Sequence, residues 1–459
     1  MAIKQITTRA KEILHSESKR FDFGYYYINR LFDNLSKNFK IRSIDELKEY
    51  IISGSYIDTY LSKSVNTIPY IRVATIKQFF LNENESDFVF VSKNVPKKIK
   101  AKMNDIVIGR TAVLGLASII DTDREFAISQ HVTRLKLHEK YLSPEYALAY
   151  LNSNLFKKQM VIASSGTSRL ELTHSQLKKV KIILPDKDFE NKIKEKINKS
   201  MKLHRDALLL INQSQNLFYQ KLGIDFSKIQ KEKYYSVNLS DFAKDDLWTP
   251  AFSYPLYVNT LKAIQKKWQT VPLGEIATVK KGDEVGSENY NKYLDKKDSD
   301  VPFIRTSDIV NYEVDQFPDF YIPEEIYKEL NQDIKAGDVI FTKDGKIGMS
   351  AMITKTDKAI IASGMVRIRL KTEAKKYNLT PEYLFIVLSL KETGLYPAIR
   401  RTVVASTIPH LREERLKEIQ IPILDKNSID EITKLVKEAF ELKDEKKKLI
   451  KEVREEIDS

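Results

Sequence analysis

The sequence contains no cysteine among its 459 residues. This absence excludes disulfide bonds, thiolate metal sites and cysteine nucleophiles, and it fits a reducing compartment. No hydrophobic run approaches the roughly 18 residues of a membrane-spanning helix. The start of the chain, residues 1–20, has the spacing of an amphipathic helix and lacks the apolar core of a secretory signal. We therefore expect a soluble cytoplasmic protein.

Catalytic motifs are also absent from the sequence. It has no Gly-rich cofactor loop, no Asn-Pro-Pro-Tyr-type motif and no phosphate-binding loop. The six histidines are scattered without metal-ligand spacing. Asp121, Asp123 and Glu125 cluster as nuclease carboxylates would, but no lysine follows on a strand, which favours a solvated loop. Ser129 and His131 are predicted on a strand rather than on a nucleophile elbow. We expect no active site and no metal.

The net charge is +13, and hydrophobic residues make up 42% of the chain. The positive charge suggests a polyanionic partner, most simply nucleic acid, although a Lys-rich proteome would give the same total. The hydrophobic fraction suffices for packed cores. Because the chain is longer than one core usually serves, two domains are expected.

Several short motifs occur twice in the same order. The pairs begin at Ile68 and Val301, Asp105 and Asp338, Gly115 and Gly348, Val132 and Met365, and Leu142 and Leu379. The first four pairs lie 233 residues apart and the last pair 237. Gly54 and Gly282 match more loosely. A nearly constant offset indicates that one unit is duplicated.

Each copy is predicted to contain short strands punctuated by Gly, Asn and Asp, followed by a helix. Ser143-Pro144-Glu145 begins that helix in one copy and Thr380-Pro381-Glu382 in the other, since Ser or Thr with a following Pro is a strong helix start. A short strand then leads into a long helix in each copy. This pattern predicts an α/β (α+β) fold.

The long helices show the alternating three- and four-residue spacing of a coiled coil. In the first helix the spaced positions are Ile197, Met201, His204, Leu208, Ile211, Gln215, Phe218 and Leu222. In the second they are Ile429, Ile432, Val436, Ala439, Lys443, Lys446, Ile450, Val453 and Ile457. His204 and Gln215 are interpreted as polar residues that fix the register. A pseudo-twofold would make the helices antiparallel, and about 36 residues span on the order of 50 Å.

These features predict five segments. They are an N-terminal helix (1–20), a first globular domain (21–185), a central long helix with connector (186–247), a second globular domain (248–424) and a C-terminal long helix (425–459). The last helix carries six basic residues between positions 443 and 454 and six acidic residues between positions 441 and 456. We interpret it as a salt-bridged, solvated helix face.

The order of these motifs resembles the specificity (S) subunit of type I restriction-modification systems. The motifs that carry the resemblance are Leu273-Gly-Glu-Ile276, Lys281-Gly282, Val301-Pro-Phe-Ile-Arg305, Lys335-Ala-Gly-Asp-Val-Ile340 and Leu416-Lys-Glu-Ile-Gln-Ile-Pro422. The first copy has weaker versions of them, with Ile44-Asp45 where the second has Leu273-Gly274.

The resemblance implies two target-recognition domains, each reading half of a split double-stranded DNA sequence. It implies that the long helices space the domains and dock two methyltransferase (M) subunits. It also implies no cofactor bound by this chain, S-adenosylmethionine in the M subunits, and ATP and Mg in a restriction (R) subunit where one is present. Two other interpretations stay open: a helical scaffold protein, and the detached recognition half of a single-chain restriction-methylation enzyme.

Sequence readout needs basic or amide side chains on loops, positioned by phosphate contacts. Residues 93–110 contain six basic residues and one acid. A second basic segment, Ser164–Arg169, corresponds to residues 399–407 in the other copy, with Arg169 opposite Thr407. An ordinary solvated loop is the alternative for each segment. The predicted DNA-binding residues are Arg72, Lys97, Lys98, Arg110, Arg134, Arg169, Arg305, Lys343, Lys346, Arg367, Arg400 and Arg401.

Four of these arginines occur in matched pairs, Arg72 with Arg305 and Arg134 with Arg367. Because two copies that read different sequences should differ at the bases, we interpret the matched arginines as fold-holding or phosphate contacts rather than base contacts. Divergent positions, such as Arg110 against Lys343, are better candidates for base readout. The turn from Lys343 to Gly348 is predicted between two strands, with a phosphate contact through Lys343 and Lys346 as the alternative.

Overall fold

The computed structural model describes residues 23–84, 88–111, 114–164, 171–232, 234–242, 247–286, 289, 300–405 and 408–459. The predicted N-terminal helix, residues 1–20, lies outside the described residues. The chain divides into two compact units, one formed by Met1–Met201 with Lys448–Ser459 and the other by Lys202–Lys447.

The first unit mixes short strands with helices. Its helices are α1 (Phe23–Leu35), α2 (Ile44–Leu47), α3 (Pro144–Tyr150), α4 (Asn154–Ala163), α5 (His174–Lys178) and the beginning of α6 (Lys187–Leu222). Its strands are β1 (Lys40–Ser43), β2 (Lys48–Ser53), β3 (Thr67–Ile71), β4 (Phe79–Phe80), β5 (Val89–Ser92), β6 (Lys100–Ala101), β7 (Ile106–Gly109), β8 (Ala117–Ile119), β9 (Phe126–Ile128), β10 (Val132–Leu137) and β11 (Lys181–Leu184).

Two sheets enclose the core of the first unit. One has the strand order β2-β10-β7-β8-β4 and the other β5-β3-β9-β6, while β1 pairs with β11. Strand β10 lies between β2 and β7 and is antiparallel to both, and all of its residues except Lys136 are buried. Ile71, Phe126, Ile128 and Val132 lie in the core between the sheets. Gln130 and His131 form the turn between β9 and β10, so the prediction that His131 lies on a strand is wrong, whereas Ser129 continues β9 through a parallel bridge with Ser55.

The second unit contains the following elements. Its helices are the end of α6, then α7 (Leu239–Phe242), α8 (Pro250–Ser253), α9 (Pro255–Lys267), α10 (Leu273–Ile276), α11 (Glu324–Leu330), α12 (Pro381–Ser389), α13 (Tyr396–Arg400), α14 (Glu413–Lys417) and most of α15 (Lys426–Asp458). Its strands are β12 (Thr270–Pro272), β13 (Ala277–Lys281), β14 (Val301–Ile304), β15 (Ile309–Val310), β16 (Glu313–Val314), β17 (Tyr321–Ile322), β18 (Val339–Thr342), β19 (Ser350–Met352), β20 (Ile360–Ile361), β21 (Met365–Leu370), β22 (Val403–Ala405), β23 (Ile408–His410) and β24 (Gln420–Pro422).

The second unit repeats the pairing pattern of the first. Strand β21 lies between β13 and β18, as β10 lies between β2 and β7. Strand β14 runs parallel to β20, as β3 runs parallel to β9. Strand β12 pairs with β24, as β1 pairs with β11. The duplication predicted from the motif offsets is therefore confirmed at the level of topology.

The long helices pack antiparallel, as predicted. In the first unit Lys192 and Lys196 both contact Glu456, at 2.8 and 3.1 Å. In the second unit Lys221 lies 2.9 Å from Glu431. Lys196 also lies 2.5 Å from Glu452, so within the first unit rising numbers on one helix meet falling numbers on the other.

The buried seam of α6 differs from the predicted one at alternate positions. Ser200, Ala207 and Ser214 are fully buried, whereas Leu208 and Gln215 are partly exposed. Small residues at every second seam position let two helix backbones approach closely. The hydrophobic pattern alone favoured the larger neighbours, so the prediction is wrong by one residue at Leu208 and Gln215, whereas Met201 is buried as predicted. His204 is buried at its predicted seam position.

A buried lysine cluster corrects the prediction of a solvated face on α15. Lys443, Lys446 and Lys447 are all buried in the second unit. Lys446 contacts the carboxylate of Glu313, which Lys443 and Lys447 approach to 3.6 Å. Lys447 also lies 2.6 Å from Asp357. We call these five residues the buried lysine cluster. Its acids come from β16 and the β19–β20 loop, so the charge count of the helix alone misjudged its environment.

Candidate nucleic-acid interface

The matched arginines Arg134 and Arg367 hold equivalent backbone segments. Both side chains are buried, on β10 and β21 respectively. The Nη1 group of Arg134 donates to the carbonyl oxygen of Lys100, and that of Arg367 to the carbonyl oxygen of Asp333 at 2.6 Å. Lys100 and Asp333 are also 233 residues apart, so the contact itself is duplicated. This placement favours a fold-holding role, and DNA contact by either arginine stays a prediction.

The acid beside Arg134 is Asp105, which is fully buried at the start of β7. The Nε of Arg134 lies 3.2 Å from the Asp105 carboxylate, which also accepts hydrogen bonds from the Tyr50 hydroxyl and the Lys102 amide. Burial raises the pKa of Asp105, although these hydrogen bonds and the Arg134 charge act in the opposite direction. Arg134 therefore offsets the charge of a carboxylate taken out of water.

Arg72 and Arg305 precede equivalent 3-10 turns. The Arg72 amide donates to Oγ1 of Thr75 at 3.2 Å, and the Arg305 amide donates to Oδ2 of Asp308 at 2.9 Å. The Arg305 guanidinium lies 4.0 Å from the ring centre of Phe320 and 3.2 Å from Asp319. Its charge is thus already offset within the unit. The backbone role of these two arginines is duplicated, and their contact with phosphate stays a prediction.

A basic groove of about 520 Å³ lies on the first unit. It is lined by Lys97, Lys98, Lys100, Ala101, Lys102, Met103, Thr122, Asp123, Arg124, Glu125 and Arg134. Lys97 and Lys98 begin a 3-10 turn whose last residue, Ile99, is fully buried. Because Ile99 anchors the turn in the core, the two lysines are exposed on its outer side.

The basic groove keeps a surplus of positive charge. Glu125 lies 3.0 Å from Lys100 and 3.1 Å from Lys93, and hydrogen bonds from these lysines lower the pKa of Glu125. That acid offsets part of the charge on one side. Among the described residues, no acid forms an ion pair with Lys97, Lys98 or Lys102. An open groove with three exposed ammonium groups suits a polyanion backbone.

Arg110 lies at the end of β7, where two of the predicted basic segments meet. Its Nη2 donates to the carbonyl oxygen of Gln130 at 2.8 Å. Its own carbonyl accepts a hydrogen bond from the Leu172 amide at 2.9 Å. Residue 172 follows the predicted Ser164–Arg169 segment, in which Arg169 lies outside the described residues. The sequence did not indicate that these segments meet, because 62 positions separate residues 110 and 172.

The same junction occurs in the second unit. The carbonyl oxygen of Lys343 accepts a hydrogen bond from the Leu411 amide at 2.9 Å, as that of Arg110 does from Leu172. Leu411 is therefore the counterpart of Leu172. Counting back from these leucines places Arg169 opposite Ile408, one residue beyond the predicted match with Thr407, which is outside the described residues.

The turn from Lys343 to Gly348 joins β18 and β19, as predicted. The Lys343 side chain is buried, 2.9 Å from Asp344 and 3.6 Å from Glu413. A phosphate contact through Lys343 would require that side chain to leave an internal ion pair. Lys346 is exposed on the same turn. Gly345 has a φ of +66°, which favours glycine at this position.

Arg400 and Arg401 lie at the end of α13. The Nε of Arg400 donates to the carbonyl oxygen of Phe252 at 2.7 Å, and its guanidinium stacks 4.4 Å from the Phe252 ring centre. Arg401 is buried, and its Nε lies 3.1 Å from Glu418. Both side chains thus make contacts within the unit. Lys346 is the most open of the basic residues predicted to bind DNA in this unit.

Sequence reasoning missed two features of this surface. Arg124 lines the basic groove and lies 5.5 Å from the ring centre of Phe126, but it stands alone between acids in the sequence. The hairpin of β22 and β23 was read as a loop, because strands of three residues give almost no periodic signal.

Within the described part of the chain, no group of three or more His, Cys, Asp or Glu side chains is arranged to hold a metal ion. Over the same residues, no helix combines the length and the apolar character needed to cross a membrane.

Solved structures similar to this chain include two S subunits. One is the S subunit of a type I restriction-modification system from M. genitalium, with 15% identity, coverage of 92% of this chain and 95% of that chain, and a TM-score of 0.35. The other is the HsdS subunit from Thermoanaerobacter tengcongensis, with 13% identity, coverage of 91% and 96%, and a TM-score of 0.28. A search of curated protein sequences found no match.

A family model described as the type I restriction modification DNA specificity domain matches the chain twice. The matches cover residues 36–217 and 265–454, most of the chain. Both the number of matches and their positions agree with the duplicated topology. The chain carries two copies of this domain and belongs to the family of type I restriction-modification DNA specificity proteins, the sequence-recognition subunits of those systems.

Proposed function

We propose that the two units read two different halves of a split, asymmetric DNA target. The observation that supports this proposal is a shared scaffold with different side chains at the same junction. Arg110 in the first unit corresponds to Lys343 in the second, and Glu171 corresponds to His410. Because Lys343 is buried, the two surfaces differ in Arg110 and Glu171 on one unit and His410 on the other. Equal scaffolds with unequal surface chemistry suit two half-sites that differ in sequence.

The basic groove supplies the phosphate contacts of the first unit in this proposal. Lys97, Lys98 and Lys102 are exposed there, and phosphate contacts fix the register on a duplex without reading its sequence. Base readout would come from the divergent side chains at these junctions that reach solvent, which are Arg110 and Glu171 in the first unit and His410 in the second.

The chain would act by positioning a catalyst that another polypeptide supplies. In this proposal it docks two DNA methyltransferase (M) subunits, which hold S-adenosylmethionine. Restriction (R) subunits, where present, use ATP and Mg. Family membership supports this assignment, and the catalytic chemistry belongs to those partners.

Gel shifts of the full chain with its methyltransferase partner test the proposal. We expect tighter binding to one split sequence than to random duplex, and a linear fall of the logarithm of affinity with the logarithm of salt concentration. Addition of S-adenosylmethionine should then give methylation only when this chain is present. Equal methylation by the partner alone, or no DNA binding at low salt, would support the helical scaffold alternative instead.

A further inference from the structure

The β22–β23 hairpin of the second unit presents aliphatic side chains to solvent. Val403 pairs with His410, Val404 with Pro409 and Ala405 with Ile408. Val404 is 65% exposed and Ile408 57% exposed. The register places Val404 on one face of the ribbon and Ile408 on the other. The sequence has no charged residue from Val403 to Pro409.

The hairpin is held firmly at its base. A two-stranded hairpin is marginally stable by itself. Here the Gly345 amide donates to the carbonyl oxygen of Pro409 at 3.0 Å, and the Leu411 amide to that of Lys343 at 2.9 Å. The Thr402 hydroxyl bonds to the carbonyl oxygen of Ala398 at 2.9 Å. The apolar side chains therefore project from a fixed platform, and exposed aliphatic groups on such a platform mark an interaction site.

The charges around the hairpin favour DNA as the partner. Exposed Lys346 lies on the turn that bonds to β23, and exposed Arg412 follows β23. The part-buried acids beside the hairpin, Asp344 and Glu413, both contact buried Lys343, and Asp344 also contacts His410. Glu414 is the exposed acid nearest in sequence. A ribbon with apolar side chains and basic flanks complements a DNA groove, which has phosphates on its rims and base edges on its floor. The major groove admits a two-stranded β-ribbon, and the 5-methyl group of thymine is the apolar feature of its floor.

We propose that Val404 and Ile408 determine specificity by contacting thymine 5-methyl groups in the half-site that the second unit reads. This inference rests on the proposed function. The first unit has Ser165 and Arg169 at the counterpart sequence positions, so methyl contact distinguishes the second unit from the first.

Single thymine-to-uracil substitutions test the inference, because uracil lacks only the methyl group. The full chain with its methyltransferase partner is titrated against duplexes that carry its target, with each thymine replaced in turn. Burial of one methyl group corresponds to about fourfold in affinity. We expect that loss at one or more thymines of a single half-site. Val404→Ala or Ile408→Ala should bind the thymine and uracil duplexes equally at the thymine that the replaced side chain contacts.

Val65→Ala is the matched control, because Val65 is 90% exposed in the first unit. It should keep the full uracil effect. The inference is overturned if the wild type is indifferent to uracil throughout, if neither half-site contains thymine, or if both hairpin variants keep the uracil effect. If a hairpin variant loses the methyltransferase on size-exclusion chromatography while its DNA binding is unchanged, the hairpin binds a protein partner instead of DNA. Equal affinity for target and random duplex would defeat the proposed function itself.

Discussion

Basic side chains in this protein differ mainly in what surrounds them. Arg134 and Arg367 are buried against backbone carbonyls, whereas Lys97 and Lys98 are exposed on a turn. The sequence marked all four as DNA-binding candidates. Retention in both copies separated the two arginines as candidates for holding the fold or touching phosphate, and their contacts with backbone carbonyls favour the first. Their exposure could not be predicted, because it depends on strands that are distant in sequence.

The exposed lysines of the basic groove should control the salt dependence of DNA binding. We expect Lys97→Ala combined with Lys98→Ala to reduce the salt slope by about 2, since each phosphate contact contributes about 1. The thermal midpoint should not change, because both side chains are exposed. Gel shifts at several salt concentrations measure the slope. Lys434→Ala with Lys437→Ala, on an exposed part of α15, is the control, and an equal effect there would contradict the assignment.

The buried arginine should show the opposite behaviour. Arg134→Ala leaves the Asp105 carboxylate buried without its charge partner, and loss of one partner of a buried pair costs about 3 kcal/mol. We expect urea denaturation to show this loss in the free energy of unfolding. The salt slope of DNA binding should stay that of the wild type at temperatures where the variant is folded. A stable variant with a smaller slope would assign Arg134 to phosphate contact.

The electrostatics of the buried lysine cluster follow from desolvation. Burial raises the pKa of Glu313, but attraction to its three lysines outweighs burial and holds that pKa well below its usual range. Burial lowers the pKa of Lys443 to about 7, and repulsion from Lys446 and Lys447 adds to this against the attraction of Glu313. Burial, with the nearby lysines, also lowers the pKa of His204 well below its usual value.

Lys443 should make stability depend on pH above neutrality. Its pKa is about 7 in the folded protein and about 10.4 in an unfolded chain. The unfolded state therefore binds more protons between these values, and the free energy of unfolding rises with pH across that window. Glu313 and His204 titrate below the window. Burial raises the pKa of Asp444, but its hydrogen bonds outweigh burial and lower that pKa. Burial lowers the pKa of Lys447, but attraction to Asp357 and Glu313 outweighs burial and raises that pKa above the window.

Lys443→Met should remove this dependence. We expect the increase in unfolding free energy from pH 7 to pH 9 to be smaller in the variant by on the order of 1–2 kcal/mol. Chemical denaturation at the two pH values measures it. Lys437→Met, at an exposed position on the same helix, should keep the wild-type increase. Identical pH profiles for wild type and Lys443→Met would show that Lys443 stays charged in the fold.

Among the elements, the long helices were the most predictable and their contacts the least. Spacing predicted α6, and its last predicted seam residue, Leu222, is the end of the helix. The seam prediction failed at Ala207 and Ser214, since hydrophobicity cannot show where two backbones approach closely. The seam prediction was confirmed at Lys443 and Lys446, which are buried. The prediction of a solvated face was wrong for these lysines and Lys447, because Glu313 and Asp357 lie far from them in sequence.

The glycines that follow β2 and β13 lie at equivalent close approaches of the backbone in the two units. A Cβ on Gly54 would lie 1.9 Å from the carbonyl oxygen of Ile128, and one on Gly282 would lie 2.3 Å from that of Ala362. Backbone atoms cannot move aside easily, so only glycine fits. Their loose match in the sequence therefore reflects the same close approach in both units.

Gly54→Ala and Gly282→Ala should each destabilise the protein by about 2 kcal/mol, because overpacking forces backbone shifts. Gly364→Ala is the milder control in the second unit, where an added Cβ would meet a Thr306 side-chain atom at 3.2 Å. Thermal midpoints of the three variants compare the costs. Similar midpoints for Gly282→Ala and Gly364→Ala would contradict the close approach.

At the scale of the whole molecule, the duplication was predictable because it depends on order and offset rather than on any single motif. The 233-residue offset located β3 with β14, β7 with β18 and β10 with β21 before any contact was known. The β22–β23 hairpin gave no such signal, because its strands of three residues show almost no periodicity. The role of the long helices in setting the gap between half-sites stays a prediction.

Sequencing the methylated bases of cells that carry this chain with its methyltransferase tests the central claim most directly. If two units of one fold read different half-sites, methylation should appear at a single split sequence whose two halves are unrelated. It should vanish from cells that lack only this chain. A palindromic or uninterrupted target, or an unchanged methylation pattern without the chain, would contradict the account.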